Sequence, residues 1–189
     1  MTGKAIQGLL LKDLAIDQAQ NFFDHIQANR SAYLDHIPFV SRTLDVETMR
    51  QNIARNVARQ EQGLSEFYTL WAPDKMAGYF LIREKDLEAR WAEIGYMLGT
   101  PWQGKGISGQ ICRLLMEDLF VCQAMEKIVI CCHDQNIASM GLAKKLGFTL
   151  EGNLRNHNAV NGTLRNMLYF GLLKNEWLPH REASVLETP

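Results

Sequence analysis

The stretch "TPWQGKGISGQICRLLMEDLF", from Thr100 to Phe120, sets Gln103, Gly104, Lys105, Gly106, Ile107 and Ser108 directly ahead of apolar residues at helical spacing. A helix start leaves backbone N–H groups unpaired and carries a partial positive charge. Glycines let an anion come close to that backbone. The stretch can therefore cradle a pyrophosphate, or be a plain turn. It lacks the G-x-x-x-x-G-K-[ST] spacing of a P-loop. A second stretch, "VICCHDQNIASMGLAKKLGF", joins an apolar run to a helix that Asn136 is suited to cap, with Ser139 one turn in on the same side. In a third, "RWAEIGYMLG", Glu93 offers a carboxylate able to take up a proton, directly or through water.

Each of these residues has a plainer reading. Lys105 is also what a solvated loop lysine looks like. Asn136 can be a bare cap, Ser139 a small packing residue and Glu93 a surface glutamate. Cys132 reads as a buried strand cysteine, and nothing in the sequence argues for a lowered thiol pKa. His133 is a second candidate base that a strand end could simply expose. Tyr96 reads as packing or pocket wall.

The elements that must position these groups follow from periodicity. "LAIDQAQNFFDHIQANRSAYLDHI" carries Leu14, Ala19, Phe22, Phe23 and Ile26 at helical spacing. "DVETMRQNIARNVARQEQG" is a second helix, with Asp45 as N-cap and Gly63 as its stop. Phe67–Trp71 and Met76–Ile82 read as a hairpin about Pro73-Asp74. "RWAEIGYMLG" is a strand, and the glycine loop opens a helix with Ile107, Ile111, Leu115 and Cys122 on one face. "KIVICC" has the continuous apolar character of a buried central strand. "NIASMGLAKKLGF" is a short helix that Gly147 closes, and Asn161-Gly162 is a strong turn signal between two last strands. The order is helix, helix, hairpin, strand, loop-helix, strand, helix, hairpin. That is an α+β (α/β-like) domain around one mixed sheet. We assign it residues 1–178, with a polar tail at 179–189.

Composition narrows the function. The chain has 189 residues, 47% hydrophobic and 22% charged, enough for one domain with a sizeable core. A net charge of −1 lacks the basic excess expected of a nucleic-acid binder. No apolar run approaches the ~20 residues of a membrane span, and "MTGKAIQGLLLKDL" does not read as a signal peptide. Cys112, Cys122 and the adjacent pair Cys131 and Cys132 suit neither a disulfide framework nor metal-ligand spacing. We expect a reduced, cytoplasmic protein without a metal. A homodimer is allowed but not read from the sequence.

Gln103, Gly106 and Ser108, followed by Asn136, Ser139, Gly147 and Phe148, resemble the GNAT acetyltransferase superfamily, whose patterns are [QR]-x-x-G-x-[GA] and N-x-x-[SA]…G-F. Ser108 departs from Gly or Ala in its slot but is small. The resemblance runs from the first helix to the final hairpin. It is most similar to the RimL/RimJ type, which acetylates protein N-termini and often has an aspartate where Asn166 stands here. The resemblance implies a mostly antiparallel sheet flanked by helices and splayed at an acetyl-CoA site. It implies that Met97, Leu98, Gln103, Gly104, Lys105, Gly106, Ile107, Ser108 and Asn136 hold acetyl-CoA, the backbone near Leu98 polarising the thioester carbonyl. It implies that Ser139 protonates the departing thiolate, that Cys132 lies near the acetyl group, and that Glu93 runs beside the thioester. The acceptor it implies is a protein N-terminus. A small amine, or a non-catalytic acyl-CoA sensor, stays open.

Overall fold

The computed structural model describes residues 1–160 and 162–177. The turn residue Asn161, the domain end at 178 and the tail at 179–189 lie outside the described residues.

Eight strands form one sheet in the order β1-β2-β3-β4-β5-β6-β8-β7. They are β1 (Ala5–Ile6), β2 (Leu9–Asp13), β3 (Glu66–Trp71), β4 (Met76–Asp86), β5 (Trp91–Leu98), β6 (Lys127–His133), β7 (Thr149–Val160) and β8 (Thr163–Leu173). Every neighbouring pair is antiparallel except β5 and β6, which run parallel. A parallel pair needs a crossover, and α4 (Ile107–Glu117) supplies it. The expected mixed, mostly antiparallel sheet is the one observed.

Helices cover both faces. On one, α1 (Ala19–Ala28) and α3 (Val46–Glu61) bury Phe22, Ile26, Met49 and Ile53 against Phe67 and Tyr79. On the other, α4 and α5 (Ile137–Lys145) pack Ile111, Leu115 and Ala143 against Phe80, Ile94 and Phe170. The two-residue alternation of β5 sends Ala92, Ile94 and Leu98 to the α4 side and Met97 to the α1/α3 side. Asp45 caps α3 by accepting from Thr48 N–H at 2.7 Å, as its position suggests.

Three expectations change. The N-terminal stretch forms β1 and β2, because Leu9 and Leu11 alternate inward with period 2 over a run too short to stand out. The first long helix is broken: α1 ends at Ala28, and α2 (Arg30–Leu34) starts beyond Asn29. Asn29 sends its amide to His25 C=O at 2.9 Å and accepts from Thr100 N–H at 3.0 Å, so the break ties the helix to the turn after β5. Finally, Cys122 is exposed rather than on the apolar face of α4. Residues 118–122 wind as a π turn, with Gln123 N–H donating to Asp118 C=O at 3.0 Å. The wider winding rotates Leu119 and Phe120 into the core and Cys122 out of it.

His25 fastens the α1 face. Its Nδ1 lies 3.0 Å from Met76 C=O and its Nε2 lies 2.8 Å from Tyr33 OH. Nδ1–H must donate to the carbonyl, so Nε2 accepts from the tyrosine. Burial lowers the pKa of His25 to about 4.

Candidate active site

The sheet opens where the sequence places its chemistry. β5 and β6 pair only through Trp91–Lys127, Ala92–Ile128 and Glu93–Val129. Beyond that point β5 stays with β4 as far as Leu98, and β6 stays with β8 as far as His133. The two strands part into a V, and facing backbone groups lose their ladder partner. A cavity of about 1120 Å³ fills the V. It reaches from the glycine loop to α3 and the segment 35–42.

The loop meets the geometric need of an anion cradle. Gly104 and Gly106 have φ of 73° and 76°, and nothing lies within 4 Å of where a Cβ would stand at either. Gly106 is the N-cap of α4 and no side chain caps that end. The first α4 bond runs from Gln110 N–H to Gly106 C=O, which leaves the N–H groups of Ile107, Ser108 and Gly109 without helical partners. Gln103 turns back, its amide donating to Leu98 C=O at 2.7 Å, and so locks the loop to the end of β5. Gln103, Gly104, Gly106, Ile107 and Ser108 line the cavity, as do Met97 and Leu98. Lys105 is exposed and outside that lining.

Across the V, Asn136 caps α5, its Oδ1 accepting from Ser139 N–H at 3.0 Å. Ser139 is buried, with its Oγ 2.9 Å from Tyr96 OH. Its side chain also acts on the neighbouring Cys132 thiol. Burial pushes the Cys132 thiol pKa up and outweighs Ser139, which acts the other way, so the neutral thiol is the favoured form. Burial likewise raises the Tyr96 pKa, keeping that hydroxyl protonated.

Glu93 lies on the other wall. Arg83 Nε sits 2.9 Å from its Oε1, and its side chain is 17% exposed against 60% for Arg83. Burial raises the Glu93 pKa, with Arg83 opposing. His133 is buried, not exposed. Its Nδ1 accepts from Gln135 N–H at 3.1 Å, so the ring proton sits on Nε2, 2.8 Å from His36 Nδ1. The Asp35 backbone carbonyl also accepts from the ring. Both ring nitrogens are engaged, so His133 offers no lone pair as a base.

The structure thus brings Ser139, Cys132 and Asn136 together and sets Glu93 across the cleft. The Tyr96–Ser139 bond was open to inference: period-2 alternation puts Tyr96 on the face of Ile94. The His36–His133 contact spans 97 positions, and no local signal could reveal it. Among the described residues no group of three His, Cys, Asp or Glu is placed to hold a metal.

Residues 9–149 match the model of a family described as an acetyltransferase (GNAT) domain. A Bacillus subtilis (strain 168) protein named "Putative ribosomal N-acetyltransferase YdaF" is 27% identical over 177 residues, 93% of this chain and 97% of its own. The spermidine N(1)-acetyltransferase of Escherichia coli (strain K12) is 27% identical over 94 residues, half of each chain. Among solved structures, a ribosomal L7/L12 α-N-protein acetyltransferase in complex with coenzyme A superposes with a TM-score of 0.86. It is 21% identical, and the match covers 92% of this chain and 98% of that one.

Proposed function

The chain belongs to the GNAT acetyltransferase family, and from that premise we propose that it transfers the acetyl group of acetyl-CoA to the α-amino group of a protein N-terminus, a ribosomal protein being the favoured class. In this reading residues 1–178 are one catalytic domain and the protein works in the cytoplasm. The observation that carries the proposal is the parting of β5 from β6 with an uncapped, glycine-lined helix start at its mouth. The match of the ribosomal N-acetyltransferase of B. subtilis over almost its whole length supports the acceptor class.

Acetyl-CoA is the acyl-donor substrate, and the residues present fit it. The N–H groups of Ile107, Ser108 and Gly109 would hold the pyrophosphate, the two glycines giving it room. Asn136 would bond the pantetheine arm. Backbone N–H groups of β5 near Met97 and Leu98 would polarise the thioester carbonyl. The acceptor nitrogen attacks the carbonyl carbon, the C–S bond breaks, and the nitrogen's proton passes to Glu93, directly or through water. Burial suits Glu93 to that task by raising its pKa toward the working range. Ser139 hydrogen-bonds the departing sulfur and passes it a proton, which Glu93 returns to the serine through water, so both residues end as they began. Tyr96, buried and protonated, hydrogen-bonds Ser139 Oγ and so holds the serine hydroxyl at the sulfur side of the cleft. Cys132 acts as a neighbour of that sulfur, not as an acetyl carrier.

A small-amine acceptor is the second reading, favoured by the half-length match to the spermidine acetyltransferase. Labelled acetyl-CoA added to a cell extract with the purified protein separates the two. Label on protein N-termini is expected. Label confined to small amines overturns the acceptor, and acetyl-CoA binding without any transfer overturns the enzyme in favour of a sensor.

A further inference from the structure

We propose that Arg83, with Arg59 beside it, forms a subsite for an anionic group on the acceptor. The favoured acceptors are then amines carrying a carboxylate close to the reacting nitrogen, such as peptide N-termini with Asp or Glu at the second or third position. This rests on the transferase reading above and names its substrate class.

Among the described residues the guanidinium of Arg83 is held at one edge. Nε faces Glu93 Oε1 at 2.9 Å. A guanidinium has five N–H donors in a fixed fork, so fixing Nε also aims the two Nη groups. A Cβ built on Gly95 would lie 3.3 Å from Arg83 Nη2 and 3.0 Å from Leu81 Cδ2. The fork therefore lies over Gly95, next to Glu93 along β5, in space the missing side chain leaves clear. Arg83 lines the cavity while its side chain stays 60% exposed. Arg59 comes from α3, and its Nη2 donates to Arg83 C=O at 3.3 Å, which brings a second guanidinium to the same wall. Arg42 lines the cavity as well.

Of the three acids that line the cavity, Asp35 belongs to the segment beside His133 and not to this wall. Glu66 turns its carboxylate to Lys85 at 2.9 Å and to Gln123 and Tyr68, away from α3. Glu93 already faces Arg83. A polyamine, whose several cations need several carboxylates, meets guanidinium groups here instead. A peptide fits better. An extended chain advances ~3.3–3.6 Å per residue. An N-terminal nitrogen beside Glu93 therefore brings the side chain of the second or third residue to the adjacent fork. A carboxylate there gains charge-assisted bonds, and a lysine there is repelled.

The test uses the full chain and three synthetic peptides differing only at position two, Asp, Asn or Lys, with spermidine as a fourth acceptor. The readout is kcat/KM, for wild type, Arg83→Gln and Arg83→Glu. Calorimetry of acetyl-CoA and thermal melting confirm that each variant is folded and binds its donor. Wild type should prefer Asp to Lys by ~10-fold or more, an advantage that shrinks with added salt. Arg83→Gln should erase the ratio and Arg83→Glu should invert it. The ratio cancels any general effect of disturbing Glu93, which would lower all peptides together. Equal rates on the three peptides, a ratio unchanged in Arg83→Gln, or a preference for spermidine overturns the subsite while leaving transferase activity intact. No turnover with any acceptor, acetyl-CoA still binding, overturns the transferase reading and the subsite with it.

Discussion

Removing the Ser139 hydroxyl should lower kcat by ~10²-fold, the low end of general acid catalysis, and leave acetyl-CoA affinity nearly unchanged. Ser139 Oγ lies 2.9 Å from Tyr96 OH and close to the Cys132 side chain. Asn136, which is proposed to hold the pantetheine, accepts at Oδ1 from the Ser139 backbone N–H at 3.0 Å, a bond that Ser139→Ala keeps. The loss therefore falls on the step in which charge grows on sulfur. Tyr96→Phe removes one neutral hydrogen bond to the serine, worth about 0.5–1.5 kcal/mol, which converts to roughly 2- to 10-fold in rate. Because Tyr96 acts through Ser139, the double variant should be no slower than Ser139→Ala alone. Steady-state kinetics at saturating acceptor measures all three variants. A thioester with a more acidic thiol leaving group should rescue them, and should not rescue Asn136→Ala, whose defect lies in binding. Full kcat in Ser139→Ala would reduce the residue to packing. Losses that multiply in the double variant would mean that Tyr96 acts separately from Ser139.

Gly106→Glu should abolish acetyl-CoA binding by calorimetry, since its carboxylate would stand where the pyrophosphate approaches; unchanged affinity would exclude the loop as the cradle. Because Gly106 has φ of 76°, that variant also carries strain of roughly 1–2 kcal/mol, and Gly106→Asn, which tolerates left-handed backbone, is the control for it. Glu93 must be ionised to accept a proton, so activity should fall as pH drops through its raised pKa, giving an acid limb above the ordinary glutamate range. Glu93→Gln should lose that limb and be impaired most at neutral pH and less at high pH, where the amine is already deprotonated; equal loss at every pH would indicate positioning only. His25 is neutral in the fold down to about 4 and protonates near 6.5 when unfolded, so stability should be full above pH 6.5 and decline as pH falls toward 4. The decline is on the order of 3 kcal/mol, and a thermal melting point flat across that window would contradict it.

The elements nearest the chemistry were the most legible in the sequence. The glycine loop, Asn136 as a cap and Ser139 one turn later rest on local rules of helix starts, and the fold obeys them at 3.0 Å. The hairpin about Pro73-Asp74 is equally local. Elements that tertiary contacts decide were not legible. Asn29 breaks the first helix because Thr100, 71 positions away, needs an acceptor. Cys122 leaves the apolar face because the chain widens to a π turn around Phe120. β1 pairs with β2 and β2 with β3, a sheet edge that their own residues cannot announce. In the site, Glu93 was readable as a carboxylate on the right strand, but its partner Arg83 was not.

The central claim is that an α-amine attacks the thioester of acetyl-CoA within the V between β5 and β6. Release of CoA thiol, followed with one ribosomal N-terminal peptide in two forms, free and blocked at its α-amino group, tests it most directly. The account predicts release with the free peptide, matched one for one by acetyl groups on its terminal nitrogen, and none above background with the blocked form. Equal release with both forms, or acetyl groups found on lysine side chains, would contradict it.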